Sequence, residues 1–131
     1  MKRDLGPVRV ERGTKARRDG ARAEWIVALL LMAKGYRILG MRLRTPQGEV
    51  DLAAERGRVL AIVEVKRRRT IEEALLAVTP AQRARLRRAG QALMGRGGRN
   101  RPTVVRLDLV ALAPGRWPRH IADAWNESRL G

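Results

Sequence analysis

The chain of 131 residues carries 29 Lys plus Arg against 13 Asp plus Glu, a formal charge of +16, and 44% of its residues are apolar. That length and apolar share support one compact domain and exclude a wholly disordered basic tail. With no cysteine and a single histidine, the composition excludes a disulfide framework, a thiolate zinc site, a cysteine nucleophile and a histidine metal cluster.

Residues 1–20 are rich in cations and lack sustained periodicity, which predicts a flexible basic arm ahead of a single domain over 21–131. A helix follows from Ala21 through the apolar run Trp25–Ala33, ending at Gly35, a residue suited to the position after a helix. An apolar surface on nearly every side predicts that this helix is packed on most of them, Trp25 included. The run is nine residues long, against about 20 for a membrane span. No secretory signal precedes it, so a cytoplasmic protein away from membranes is expected. Tyr36 to Leu43 reads as a first strand with Gly40 as a bulge. Glu49–Ala54 and Val59–Lys66 then flank Glu55-Arg56-Gly57-Arg58 as a β-hairpin. Ile71–Val78 and Ala81–Met94 are helical, with Thr79 as cap and Pro80 opening the second. The basic segment Gly95–Pro102 precedes a β-branched strand, Thr103–Leu112, and Trp117–Trp125 closes the chain as a short irregular or helical piece. This order predicts an α/β fold with a mixed sheet and helices on its faces.

Chemistry concentrates on the hairpin. Glu64 and Lys66 are two apart, so they leave the strand on the same face as Leu60 and Ile62. Closing the hairpin with Ala54 opposite Val59 places Asp51 opposite Ile62 and diagonal to Glu64, with Glu49 directly across from Glu64. Two carboxylates on one face at that spacing suit a hard divalent cation, Mg²⁺ or Mn²⁺, which takes oxygen ligands together with water and substrate phosphate. Such an ion orients and deprotonates water and offsets the charge that builds on a phosphate. Lys66, one of four lysines in an arginine-dominated chain, is suited to hold the water or a phosphate oxygen. The competing reading is an ordinary ion-paired hairpin end.

The charge has a direction as well. Between Ala74 and Leu107 there is no acidic residue, while Arg83, Arg85, Arg87, Arg88, Arg96, Arg99, Arg101 and Arg106 supply eight cations. Arg83 and Arg87 share a helical face. With Arg67 and Arg68 leaving the hairpin beside the acids, they form an expected phosphate track, so the partner is nucleic acid. Trp25, Trp117, Trp125 and Tyr36 are expected in the core, without a stacking platform, and His120 is expected to be structural.

Gly48-Glu49-Val50-Asp51, twelve residues, then Glu64-Val65-Lys66, preceded by a helix bearing Ala23-Glu24, resembles the active-site pattern of the PD-(D/E)xK nuclease superfamily. The chain from about Gly20 to Asp123, with its Arg106-Leu107-Asp108-Leu109-Val110 strand and His120-Ile121-Ala122-Asp123-Ala124 tail, is more closely similar to the YraN-like family of small bacterial proteins, themselves similar to archaeal Holliday-junction resolvases. The resemblance implies a restriction-endonuclease-like mixed β-sheet flanked by helices. It further implies Asp51 and Glu64 as metal ligands, Lys66 as the catalytic lysine and Glu24 as the helix-borne acid of the site. Branched or structured DNA is the implied substrate, and a homodimer the implied assembly. Gln82 departs from the pattern, standing where relatives commonly carry Lys. A metal-dependent endonuclease-like protein is the leading expectation; a non-catalytic nucleic-acid-binding module with the same fold is the alternative.

Overall fold

The computed structural model describes residues 14–94, 102 and 104–126. Helix α1 spans Thr14–Ala33, strands β1 Arg37–Thr45, β2 Gly48–Arg56 and β3 Val59–Arg67 follow, then helices α2 Ile71–Leu76 and α3 Pro80–Met94, and strands β4 Val104–Leu112 and β5 Arg119–Ile121. The strands form one mixed sheet in the order β1-β2-β3-β4-β5, with β3 and β4 parallel and the other pairs antiparallel. A parallel pair needs a long crossover, which α2 and α3 supply. The result is an α/β fold consistent with a restriction-endonuclease-like architecture.

Two apolar layers hold the sheet. On one face α2, α3 and the segment between them bury Ala74, Val78, Leu86 and Ala89 against Ala53, Leu60, Ile62, Leu107, Leu109 and Ala111. On the other, Val27, Ala28 and Leu31 of α1 pack on Leu52, Ala54, Ala61, Val63 and Val110. The helix boundaries follow from their end chemistry. Gly35, at φ 93°, lets the Tyr36 amide bond to the Leu31 carbonyl and its own amide to Met32, the paired bonds that close a helix at a glycine. At the start of α3, Thr79 Oγ1 accepts from the Gln82 amide while Gln82 Oε1 accepts from the Thr79 amide. This reciprocal cap gives Gln82 a structural task.

Four expectations are corrected. Helix α1 begins at Thr14, so residues 14–20 are helical; residues 1–13 and the basic segment 95–101 lie outside the described residues. The apolar surface of α1 is not buried all round: Trp25 is 57% exposed, and Ile26, Leu29 and Met32 also face outward. Trp117 is 88% exposed, whereas Tyr36 and Trp125 are buried as expected. The closing segment contributes a fifth strand, β5, which pairs with Leu109–Ala111.

The hairpin register also differs. Arg56 pairs with Val59 and Leu52 with Val63, so the turn holds only Gly57 and Arg58. Gly57, at φ 61°, occupies the first turn position, where a left-handed residue matches the twist of the strands. The tighter turn slides the pairing by two residues, which brings Asp51, rather than Glu49, across from Glu64. Glu49 pairs instead with Arg44 on β1. Because side chains alternate with a period of two, a slip of two leaves every paired residue of the ladder on its expected face.

Candidate active site

The site forms where β2 and β3 part. Their ladder stops at Leu52 and Val63. One residue further, Asp51 inserts its side chain, and Oδ2 accepts the Val65 amide at 2.9 Å. This bond satisfies a backbone donor that the missing ladder would have used and points one carboxylate oxygen at the end of β3. The opening has a local cause in β1. Met41 and Leu52 pack in the α1 layer, but Leu43 and Val50, two residues along each strand, pack in the α3 layer. The ribbon therefore rotates between these pairs. Arg42 absorbs the rotation with φ 53°, a left-handed conformation that is costly for a side chain of its size.

Glu64 and Lys66 stand beside Asp51 on β3. Lys66 Nζ lies 3.6 Å from Glu64 Oε2, with side chains 22% and 13% exposed. Burial, reinforced by the charge of Asp51, pushes the Glu64 carboxyl up to about 7, against the attraction of Lys66 and Arg85. Two carboxylates in poorly solvated surroundings resist full ionisation unless a cation joins them. Glu24, from α1, completes the acidic group. Burial raises its pKa, Arg42 opposes the rise, and the charges of Asp51 and Glu49 add to it. Its Oε1 accepts from Arg42 Nε at 2.6 Å.

The structure thus brings Asp51, Glu64 and Lys66 together, with Glu24 joined to them through Arg42. The expected phosphate track is less uniform. Arg67, Arg68 and Arg87 are exposed. Arg83 is engaged within the fold, donating to the Val78 carbonyl at 2.9 Å and lying 5.9 Å from the Trp125 ring centre. Arg85 turns inward: its Nη1 donates to the carbonyls of Gln47 and Glu49, pinning the β1–β2 turn to α3. It passes so close to Gly48 that a Cβ there would stand 2.6 Å from Nη1.

The residues present fit a hard divalent cation. Among the described residues no three His, Cys, Asp or Glu side chains form a metal cluster, so a metal would rest on the Asp51 and Glu64 carboxylates, with water and substrate oxygens filling its sphere. That is the ordinary habit of Mg²⁺, which keeps several waters and few protein ligands. Burial first, and the charge of Asp51 second, keep the Glu64 carboxyl raised despite Lys66 and Arg85.

Sequence reasoning missed two groups. Arg42 and Arg85 carry no local signal, because their roles depend on a backbone twist and on the approach of α3 to the β1–β2 turn. The second group was legible in part: Asp108 is a lone acid in an apolar strand. It is fully buried on the α1 side of the sheet and accepts two bonds from Arg106 at 2.8 Å and the Asp123 amide at 3.0 Å. His120 Nε2 lies 2.8 Å from the same carboxylate and its Nδ1 2.9 Å from Lys34 Nζ, while Arg106 also donates to the Tyr36 hydroxyl at 2.5 Å. Burial pushes Asp108 up, but the bonds from Arg106, His120 and the Asp123 amide prevail and hold its carboxyl below the usual range. His120 is accordingly tied into a network that joins β4, β5 and the end of α1.

Comparison with known proteins agrees with the YraN-like resemblance at the level of the family. Residues 23–112 match the model of uncharacterised protein family UPF0102. A UPF0102 protein of Caulobacter vibrioides is 64% identical over 118 residues, covering 90% of this chain and 94% of that protein. One from Parvibaculum lavamentivorans is 50% identical over 113 residues, covering 86% and 85%, and one from Rhizobium meliloti is 47% identical over 114 residues, covering 87% and 93%.

Proposed function

We propose, starting from the fact that this chain belongs to the UPF0102 family, that it is a metal-dependent endonuclease-like protein that hydrolyses phosphodiester bonds in structured DNA. The observation that carries this reading is the juxtaposition at the parted hairpin: Asp51 beside Glu64, whose carboxyl is held near 7, with Lys66 Nζ 3.6 Å away. Asp51 and Glu64 hold Mg²⁺ or Mn²⁺, which when bound supplies the charge that acidifies a water and neutralises the phosphate. Asp51 is oriented for this by the Val65 amide. Lys66 donates to a phosphate oxygen or to the attacking water, and its short reach from Glu64 keeps it at the site. Glu24, restrained by Arg42, is a third acid able to hold a water. Arg67, Arg68 and Arg87 remain exposed to track phosphates, an electrostatic task that needs no base recognition.

The same reading places the protein in the cytoplasm with nucleic acid as its partner, and no helix among the described residues is long and apolar enough to cross a membrane. Two copies meeting through the outward stripe of Trp25, Leu29 and Met32 would present two sites to two strands; sedimentation of wild type and Leu29→Glu tests this, and a monomer in both removes the pairing.

Cleavage of duplex, flap and four-way DNA with Mg²⁺ or Mn²⁺ tests the activity, comparing wild type with Asp51→Asn, Glu64→Gln and Lys66→Ala. Wild-type cleavage lost in all three variants supports the reading. If pure wild type never cuts, or the variants cut as well as it does, the chain is a non-catalytic nucleic-acid-binding module. Binding in either case weakens with salt, by a slope of about −0.9 per phosphate contact on duplex DNA.

A further inference from the structure

A cleft of about 550 Å³ opens past the ends of β3 and β4, lined by Arg68, Arg69 and Thr70 of the β3–α2 connection, Ile71 and Glu72 of α2, Ala111 of β4, Ala113, Arg116 and Trp117 of the β4–β5 connection, and Arg119 of β5. Its size lies within the range of small-ligand sites. Four guanidinium groups face one carboxylate there. Among the described residues, the side chains of Arg69, Arg116 and Arg119 have no bonding or ionic partner, and Arg68 donates only to the carbonyl of Arg67. These cations are therefore not consumed by the fold.

Trp117 is the second observation. Its indole is 88% exposed, the one large apolar side chain in a connection that is otherwise Ala, Pro, Gly and Arg. The connection is also held in shape: Gly115 takes φ 71° and the Arg116 amide bonds to the Ala113 carbonyl at 3.2 Å, while Pro114 and Pro118 restrict the backbone on either side. A rigid loop thus presents a flat ring beside unpaired cations. A membrane surface is disfavoured as the partner, since Trp117 is flanked by Arg116 and Arg119 rather than by further apolar side chains.

The cleft adjoins the proposed site. Ala111, in its lining, is the register partner of Lys66, so the two stand about one strand spacing, roughly 4.8 Å, apart. We propose that this cleft binds an unpaired nucleotide of the substrate strand, its base stacked on Trp117 and its flanking phosphates on Arg68, Arg69, Arg116 and Arg119. Bases inside a duplex hide their faces from such a ring; an unpaired base beside a branch point or a nick exposes one. The cleft thereby gives the protein a preference for DNA in which single-stranded nucleotides adjoin the phosphate near Lys66. The assignment rests on the nucleic-acid reading of the protein, but not on turnover.

The test measures binding without cleavage. In EDTA, fluorescence anisotropy follows full-length wild type, Trp117→Ala and Trp117→Phe on a blunt duplex and on the same duplex with a short single-stranded tail. Wild type binds the tailed DNA more tightly. Trp117→Ala weakens that complex by roughly 5- to 150-fold, the range for one lost base–aromatic stack, and changes blunt-duplex binding by less than about twofold. Trp117→Phe keeps most of the tail preference, because a phenyl ring still stacks. Unchanged tail binding in Trp117→Ala, or an equal loss on blunt and tailed DNA, overturns the proposal while leaving the hydrolytic reading intact. Displacement of tailed DNA by polyglutamate as readily as by oligothymidylate of equal charge also overturns it, since an acidic peptide would then suffice. Failure of wild type to bind any DNA overturns both the cleft and the nucleic-acid reading. A tail preference that depends on Trp117 in a protein that never cuts supports the cleft and removes only the hydrolysis.

Discussion

Glu64→Gln is expected to stabilise the metal-free protein at the same time as it disables the site. The carboxyl is raised from 4.5 to about 7 by burial and by Asp51, so the folded state favours its protonated form. The corresponding stability is fully present below about pH 4.5 and is lost as pH rises through about 7. At 1.36 kcal/mol per pKa unit, the ionised carboxylate at pH 8 costs the fold about 3 kcal/mol relative to acid conditions. Glutamine has nearly the same shape and no charge at any pH, which removes that cost. That cost is already net of the attraction of Lys66, 3.6 Å away, so the gain is about 3 kcal/mol at pH 8, shrinking towards zero near pH 4.5. Urea denaturation of both proteins in EDTA at the two pH values measures it. Equal stability at pH 8, or the same difference at both values, would refute the claim that Glu64 is held in an unfavourable ionised state. Adding Mg²⁺ supplies a second reading: at 100 times its Kd, a ligand of the folded state adds about 2.7 kcal/mol, a shift expected in wild type and lost in Glu64→Gln.

The remaining predictions concern the scaffold. Asp51→Asn keeps an oxygen for the Val65 amide and should leave the urea midpoint nearly unchanged while Mg²⁺ binding by calorimetry is lost; Asp51→Ala strands that amide and should cost a further 1–3 kcal/mol or so of stability. Asp108→Ala leaves Arg106 without the carboxylate it grips twice at 2.8 Å, and guanidinium denaturation should show a loss of about 3–5 kcal/mol. Gly90→Ala would place a Cβ 2.6 Å from Val105 Cγ1 and 2.9 Å from Ile62 Cγ1. That overpacking, about 1–3 kcal/mol, outweighs the gain of about 1 kcal/mol in helix propensity, so the melting temperature should fall.

What the residues revealed beforehand follows from how local the governing forces are. The end of α1 at Gly35 and the start of α3 at Thr79-Pro80 are decided within one turn of helix, and both were legible. So was the common face of Glu64 and Lys66, which depends only on the two-residue period of a strand. The register was not, because choosing between a four-residue and a two-residue turn depends on Gly57 adopting a positive φ, and Glu55 and Arg56 read equally well as loop or as strand. Even so, a slip by an even number keeps every paired residue on its face, and Asp51, one residue beyond the ladder, still reaches β3 by accepting the Val65 amide. Exposure failed for a different reason. Trp25 and Trp117 are apolar by type, but whether a neighbouring element covers them depends on how many elements the chain supplies, and α1 has a sheet on one side only. The fifth strand was hidden by brevity: three residues beside Pro118 carry too little alternation to be separated from an irregular tail.

Charge explains why the acids cluster at the parted hairpin instead of elsewhere in so cationic a chain. Four carboxylates, Glu24, Glu49, Asp51 and Glu64, meet three cations there, Arg42, Lys66 and Arg85. Arg42 is bound to Glu24 at 2.6 Å, and Arg85 is anchored through Nη1 to the Gln47 and Glu49 carbonyls. Lys66, at 3.6 Å from Glu64, is beyond ordinary hydrogen-bond length. Lys66 and Arg85 favour the Glu64 carboxylate, but burial and the charge of Asp51 outweigh them and hold its proton up to about pH 7. With Glu64 ionised the group carries one net negative charge, which a divalent ion held by Asp51 and Glu64 would reverse. On the proposed reading, Mg²⁺ and nucleic acid are therefore expected to bind with positive coupling, each raising the affinity for the other without being required for it.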